Sequence, residues 1–347
     1  MTNKSYHKGQ VTAVIPVYNE ERYLRETLDS VVNQADCVII GDNASTDGTE
    51  SICREYMEKY SHVQYFRNER NIGSIKNIIL IYEKVTTEFV FHLGGHDLIP
   101  LGYVWELKQL LAADQLAICA FADAINFDLS GNEERLTFLN AARFLVDAQN
   151  PDPYFRGWSL VLYGFRWIPL YGLFRSEKFL PIAQKFQPIP NCDLAVLFEV
   201  ILHGTFLYSS NTVYNRRDNH IEKTDNEYYD DAMKRVCGES DTSSLYQLND
   251  VRPLAEQVLR TWEELNDEKY LASKEKFDFQ LKKKFCKLTG ERTGHFFVDI
   301  IIQAKHRWRN SGFREKWKAF VAHFKTNYLP FWAKKKKYRK GKDERTS

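Results

Sequence analysis

Val11-Thr12-Ala13-Val14-Ile15-Pro16-Val17-Tyr18-Asn19-Glu20 is an apolar run that breaks into a polar turn. The spacing predicts a strand over Val11–Val17, buried on both faces as in a parallel sheet. Glu20–Asn33 follows as a helix, because Leu24, Leu28, Val31 and Val32 fall on one of its faces. The same alternation then recurs. Asp36–Asp42 is a second strand, Thr49–Tyr60 a helix, Val63–Arg67 a strand, Ile72–Val85 a helix and Phe89–Leu93 a fourth strand. Strands joined by crossover helices imply an α/β fold with a mostly parallel sheet and flanking helices.

From Leu101 the pattern loosens: a helix over Val104–Ala113, an apolar run over Leu116–Ala122, then an aromatic segment, Tyr154–Phe179, with two Trp, four Phe and three Tyr. That segment has two readings, core and loop packing or a surface for a carbohydrate-like ligand, since aromatic faces pack well on apolar sugar faces. After Arg217 the chain is acidic and polar through Asp250, then helical and basic. The net charge of +2 over 347 residues therefore hides a division. Residues 271–347 hold 22 basic against 7 acidic residues, a charge of +15, and residues 1–270 carry −13. The expected organisation is a domain over 1–220, an acidic connecting segment over 221–270 and a basic aromatic helical tail over 271–347.

The six Cys (Cys37, Cys53, Cys119, Cys192, Cys237 and Cys286) show neither CxxC nor Cys/His spacing. This argues against a zinc site or disulfide framework and for a reduced, cytoplasmic setting. Met1–Gln10 lacks the apolar core of a signal peptide. No stretch approaches the roughly 18 to 20 apolar residues a membrane span needs, so the expectation is a soluble or peripherally attached protein.

Four strand ends carry chemistry, because open α/β sheets bind ligands beyond the carboxyl ends of their strands. The first is Val17-Tyr18-Asn19-Glu20. The second is Asp42-Asn43-Ala44-Ser45-Thr46-Asp47-Gly48-Thr49: Asp47 is explained as a helix cap, and Asp42, before the turn, is the better candidate for a base or ribose. The third, Arg67-Asn68-Glu69-Arg70-Asn71-Ile72-Gly73-Ser74, opens a helix where glycine allows close backbone approach and the helix N-terminus favours an anion. The fourth is Leu93-Gly94-Gly95-His96-Asp97-Leu98-Ile99-Pro100, which delivers an imidazole and a carboxylate suited to a divalent metal carrying phosphates.

Taken in this order, the four segments resemble the inverting glycosyltransferases of family 2 with their GT-A fold, over roughly residues 10–220. The resemblance implies a nucleotide-diphosphate sugar donor, a UDP-sugar being the first expectation, and a saccharide or lipid-linked acceptor in cell-surface polysaccharide or glycoconjugate synthesis. It also implies Mn²⁺ or Mg²⁺ at an Asp-x-Asp type motif. Pro16, Tyr18, Glu20, Asp42, Asn71, Gly73 and His96 would then meet the donor, and Asp97 the metal. One departure is plain: where the family has a first acidic residue, this motif reads Gly95-His96-Asp97. On the acceptor side, Asn191-Cys192-Asp193-Leu194 opens a helix ending near His203-Gly204, before Phe206-Leu207-Tyr208 and Tyr214-Asn215-Arg216-Arg217-Asp218-Asn219-His220. Asp193 fits the catalytic base, with Glu199 as fallback and a helix cap as its plain structural reading. His220 is a second metal candidate or an ordinary loop histidine.

In the tail, Phe313, Trp317, Phe320, Val321 and Phe324 recur at helical spacing among Lys and Arg. Three readings stand: an interfacial helix on an anionic membrane surface, a hairpin packed on the domain, and nucleic-acid binding, which no recognised motif supports. Two rivals to an enzyme of this kind are a catalytically inactive glycosyltransferase-like binding or scaffold protein and a nucleotidyltransferase. The latter lacks a Gly-rich basic loop after the first strand.

Overall fold

The structure is a computed structural model that describes residues 5–128, 133–136, 148, 149, 156, 168–185 and 192–218. The chain divides into two compact units, Met1–Gly290 and Glu291–Ser347, and every described residue falls in the first. The connecting segment, the basic tail with its expected membrane surface, and His220 lie outside the described residues.

The first half alternates as expected: β1 (His7–Val17), α1 (Leu24–Val31), β2 (Cys37–Asp42), α2 (Thr49–Lys59), β3 (Val63–Arg67), α3 (Ser74–Tyr82), β4 (Thr87–His92) and α4 (Tyr103–Ala113). The second half adds β5 (Ala117–Asp128), β6 (Glu133–Leu136), a 3₁₀ turn (Ile168–Tyr171), β7 (Leu173–Arg175), α5 (Ser176–Ala183), α6 (Cys192–His203) and β8 (Thr205–Asp218). The strands form one eight-stranded sheet in the order β3-β2-β1-β4-β7-β5-β6, with β8 paired to β5. The β1–β2, β2–β3, β1–β4 and β5–β8 pairs are parallel, whereas β7 lies antiparallel to both β4 and β5. The expected mostly parallel sheet with flanking helices is therefore present.

Val11, Ala13, Val14, Ile15 and Val17 of β1 are buried on both faces, as a central parallel strand requires. Leu24, Thr27, Leu28 and Val31 cover the sheet from α1, one helical face at i, i+3, i+4 and i+7. Val17 pairs with Asp42, and Asp42 with Arg67, so the carboxyl ends of β1, β2 and β3 lie along one edge. Strand order runs outward from β1 in both directions, to β2 on one side and β4 on the other. This is the topological switch point where such sheets form a ligand crevice.

The element bounds differ from the sequence expectation for local reasons. Helix α1 starts at Leu24 rather than Glu20: Tyr23 before it holds a φ of −124°, outside the helix, while the Glu20 and Glu21 amides donate to Thr49 Oγ1 and Asp47 Oδ2 in the neighbouring loop. Helix α3 starts at Ser74, since Gly73 holds a φ of 87°, outside the right-handed helix. Strand β8 is one 14-residue strand that takes in both Phe206–Tyr208 and the Tyr-Asn-Arg-Arg segment. The short β7, within the aromatic segment, has no strand signature in the sequence. Its Arg175 is 8% exposed, donates from Nε to the Ala117 carbonyl and pairs with Glu88, tying β5 and β4 to it.

Candidate active site

At the β1–β2 end of the crevice, two of the motif loops are laced together. Asn19, at φ 56°, accepts the Thr46 amide on Oδ1 at 2.8 Å and donates its own amide to Ser45 Oγ at 3.0 Å. Asparagine tolerates this left-handed conformation better than most side chains, whereas Ala44, at φ 66°, carries strain there. Asp42 is fully buried. Its Oδ1 accepts the Ser45 amide (2.8 Å) and hydroxyl (2.6 Å), its Oδ2 accepts the Tyr65 hydroxyl (2.7 Å), and Arg67 Nε stands 3.4 Å away. Arg67 also donates to the Ser45 carbonyl. Asp42 therefore organises the turn that would face a nucleoside; its carboxylate is enclosed by its own neighbours.

Asn71 Oδ1 accepts both the Asn43 side-chain amide (2.8 Å) and the Gly73 backbone N–H (2.9 Å), which joins the β2 and β3 loops. Asn43, Asn68 and Asn77 extend this lattice to the Gly41 carbonyl. Pro16 is half-buried near the end of β1, and Tyr18 is 39% exposed at its tip, open to a ligand.

Across the switch point, the turn after β4 folds back on itself. Asp97 is 2% exposed; its Oδ2 accepts the Tyr214 hydroxyl at 2.7 Å and its Oδ1 the Arg217 amide at 2.9 Å. Burial pushes the Asp97 carboxyl up, against the opposing pull of His96, Tyr214, Arg217 and Arg216. His96, with about 30% of its side chain exposed, bonds through Nδ1 to Glu20 Oε1 at 2.9 Å, and its Nε2 stands 3.9 Å from Asp97 Oδ1. Burial lowers the imidazole pKa, but the hydrogen bond and charge of Glu20, joined by the charge of Asp97, outweigh it and leave it raised.

The end of β8 clamps this turn. Arg217 lies over the Tyr23 and Phe127 rings at 4.3 and 4.7 Å, donates from Nε to the His96 carbonyl and from Nη2 to Glu26. Leu98 and Asn215 exchange both backbone hydrogen bonds. Tyr214 stacks on Tyr171 at 4.3 Å, and the Tyr171 hydroxyl, raised first by burial, feels the charges of both Asp97 and Asp193. Asp193 is half-buried in the first turn of α6, where the helix N-terminus favours its anion. Glu199, further along α6, is 7% exposed and less reachable. The sequence assigned no role to Tyr214, Arg217 and Tyr171. The first two sit in the Tyr-Asn-Arg-Arg segment, and an aromatic segment alone does not single out Tyr171.

The resemblance implies Mn²⁺ or Mg²⁺ here, and such ions are held by one or two carboxylates together with substrate phosphates. Asp97, the expected ligand, has both oxygens engaged and is enclosed. A Cβ at Gly94 would run into Asp97 Oδ2, and one at Gly95 would stand 3.0 Å from Glu20 Cγ and Val17 Cγ1. A side chain at either glycine would therefore press on these neighbouring side chains. Among the described residues no three His, Cys, Asp or Glu converge on a metal position. Asp97 is the carboxylate that would hold such an ion together with substrate phosphates, because each of its oxygens accepts one hydrogen bond and keeps a further lone pair.

A strand-order switch with polar, motif-bearing loops on both sides defines an α/β domain with a ligand crevice at that point. The family model for glycosyl transferase family 2 matches residues 12–164. Residues 12–164 are thus similar to family 2 glycosyltransferases. Glycosyltransferase GlyA of Streptococcus pneumoniae is 30% identical over 114 residues, 31% of this chain and 16% of that protein. Abequosyltransferase RfbV of Salmonella typhimurium is 32% identical over 114 residues, 31% of each. The chain thus spans about a third or less of the length of these curated relatives. S. aureus TarS, residues 1–349, resembles it at 14% identity and a TM-score of 0.49, over 73% of this chain and 80% of that one.

Proposed function

We propose that this protein is an inverting glycosyltransferase that moves a sugar from a nucleotide-diphosphate sugar to a saccharide or lipid-linked acceptor, with Asp193 as the base. The observation that carries the reading is the match of residues 12–164 to the glycosyl transferase family 2 model on a sheet whose motif loops meet at its switch point, with Asp193 half-buried in the first turn of α6. A donor lying along the switch point from the β1–β2 loops to the His96 turn would bring its sugar to that place. There the acceptor oxygen attacks the anomeric carbon as its proton passes to Asp193. The bond from that carbon to the diphosphate oxygen breaks, and the oxygen keeps the electron pair.

A panel of nucleotide sugars, read out by released nucleoside diphosphate, tests the transfer. Asp193→Asn should lower kcat by roughly 10²–10⁴-fold while donor binding stays near wild type. Full activity in that variant would remove the base assignment. The missing motif carboxylates favour a second reading, a glycosyltransferase-like binding protein, which the same panel would reveal as donor binding without turnover.

A further inference from the structure

We infer that the outer face of α4, led by Leu101 and Trp105, is a docking surface for an anionic lipid bilayer. The inference stands apart from the glycosyl-transfer reading, since it concerns where the domain sits rather than what it transfers.

The three most exposed large apolar side chains among the described residues gather on one element: Leu101 is 90% exposed, Leu116 73% and Trp105 64%. Leu101 and Leu116 flank the two ends of α4, and Trp105 lies in its first turn. Trp105, Lys108, Gln109 and Ala112 share one helical face at i, i+3, i+4 and i+7, while Tyr103, Val104, Leu107 and Leu111 are buried on the other side. A helix that presents apolar side chains on its solvent side as well as its core side has a second surface to cover.

The turn that presents Leu101 is held from both sides. Gln34 donates from Nε2 to the Pro100 carbonyl at 3.0 Å and accepts the Gly102 amide on Oε1 at 3.0 Å. Gly102 takes a φ of 87° to enter α4. The leucine is therefore kept in water by hydrogen bonds on either side of it instead of folding back on the domain, an exposure of apolar surface that a lipid contact offsets.

Charge and size select a bilayer as the occupant. The outer face of α4 carries one charge, that of Lys108, and no carboxylate. The two acids beside it are engaged elsewhere: Glu106 accepts the Ser209 hydroxyl and the Asn211 side-chain amide, and Asp114 accepts the Leu116 amide. The same chain holds 22 basic against 7 acidic residues over 271–347, which attracts the molecule to an anionic leaflet, where this face meets nothing that repels it. A second copy is a poorer occupant. The 11 residues of α4 make a strip about 16 Å long and about 10 Å wide, small beside the roughly 800 Å² that each partner buries in a standard interface. No described helix is long and apolar enough to cross a membrane, so the contact is a surface one, with the Trp105 indole at the boundary between headgroups and acyl chains. Leu101 directly follows the Leu93–Pro100 segment of the site, so a domain docked here holds its crevice close to the headgroups.

Co-sedimentation of the full-length protein with vesicles of phosphatidylcholine, with and without phosphatidylglycerol, tests the proposal. The wild type should bind the mixed vesicles, and those of phosphatidylcholine alone more weakly. Leu101→Ser combined with Trp105→Ser should weaken binding to the mixed vesicles by about tenfold or more, with an unchanged urea midpoint because both side chains already face water. Lys108→Glu should weaken it by a smaller factor, and only on the mixed vesicles. Brominated lipid should quench the tryptophan fluorescence of the wild type more than that of Trp105→Phe, a variant that keeps the apolar face. Equal binding by the double variant, or equal quenching in Trp105→Phe, would overturn the proposal and leave the basic tail as the lipid contact. Absence of wild-type binding to either vesicle would overturn it as well. A dimer in light scattering that the double variant turns into monomers would assign the face to a second copy instead.

Discussion

Asp42, the last residue of β2, and Asp97, in the turn after β4, both stand at the carboxyl end of a parallel strand, each buried and each with both carboxylate oxygens hydrogen-bonded. Their partners differ in origin. Asp42 is closed by Ser45 and Tyr65, 3 and 23 residues away, with Arg67 beside it. Asp97 is closed by Tyr214 and Arg217, 117 and 120 residues away. The first end of the site is built within consecutive strand and helix units, and the second exists only once β8 has docked. Local closure requires ordering little chain beyond the units themselves, whereas the distant clamp forms only against the entropy of a long intervening loop.

Removing the carboxylate at the distant clamp should have the largest effect on stability. Asp97→Ala leaves the buried Tyr214 hydroxyl and the Arg217 amide without their acceptor, which should destabilise the fold by roughly 3 kcal/mol in urea unfolding. A loss under about 1 kcal/mol would mean that β8 does not depend on that carboxylate and would remove the contrast between the two ends. At the local end, Tyr65→Phe takes away one of Asp42's hydrogen bonds and leaves those from Ser45. The expected loss is about 1–1.5 kcal/mol by the same measurement, and a larger loss than in Asp97→Ala would invert the comparison. The smallest change tests the strain next to Asp42. Ala44→Gly relieves a positive φ at some cost in unfolded-chain entropy, for a net gain of up to about 1 kcal/mol. Destabilisation there would show that the turn is held by more than the hydrogen bonds to Asn19 and Asp42.

The same contrast explains how much was legible in the amino-acid order. Strands β1 to β4 and the helices between them follow from periodicity, because each buries a face whose spacing is set by neighbours in sequence. Asp42, Asn71 and Gly73 could be located in the same way, since their turn partners follow within about 30 residues. The sequence did not, however, reveal that Asp42 is enclosed, because Tyr65 reads equally well as an ordinary strand residue. The inverted β7 was not legible either: Leu173-Phe174-Arg175 is too short for a period to register, and its direction is set by packing between β4 and β5. For Asp97 the pattern suggested a metal ligand. Its hydrogen-bond partners on β8 are invisible to any window around the motif.

The sequence by itself determined the alternating α/β architecture, the edge on which the site lies and the residues that could do chemistry there, because strand and helix periods and turn residues act over a few neighbours. Only the tertiary structure decided which of those residues are enclosed and which remain open. Asp97 turned inward under Tyr214 and Arg217, and His96 kept about 30% of its side chain exposed while bonding to Glu20. That choice rests on contacts across more than a hundred residues, where burial and hydrogen bonding between distant strands, rather than local propensity, set the energy.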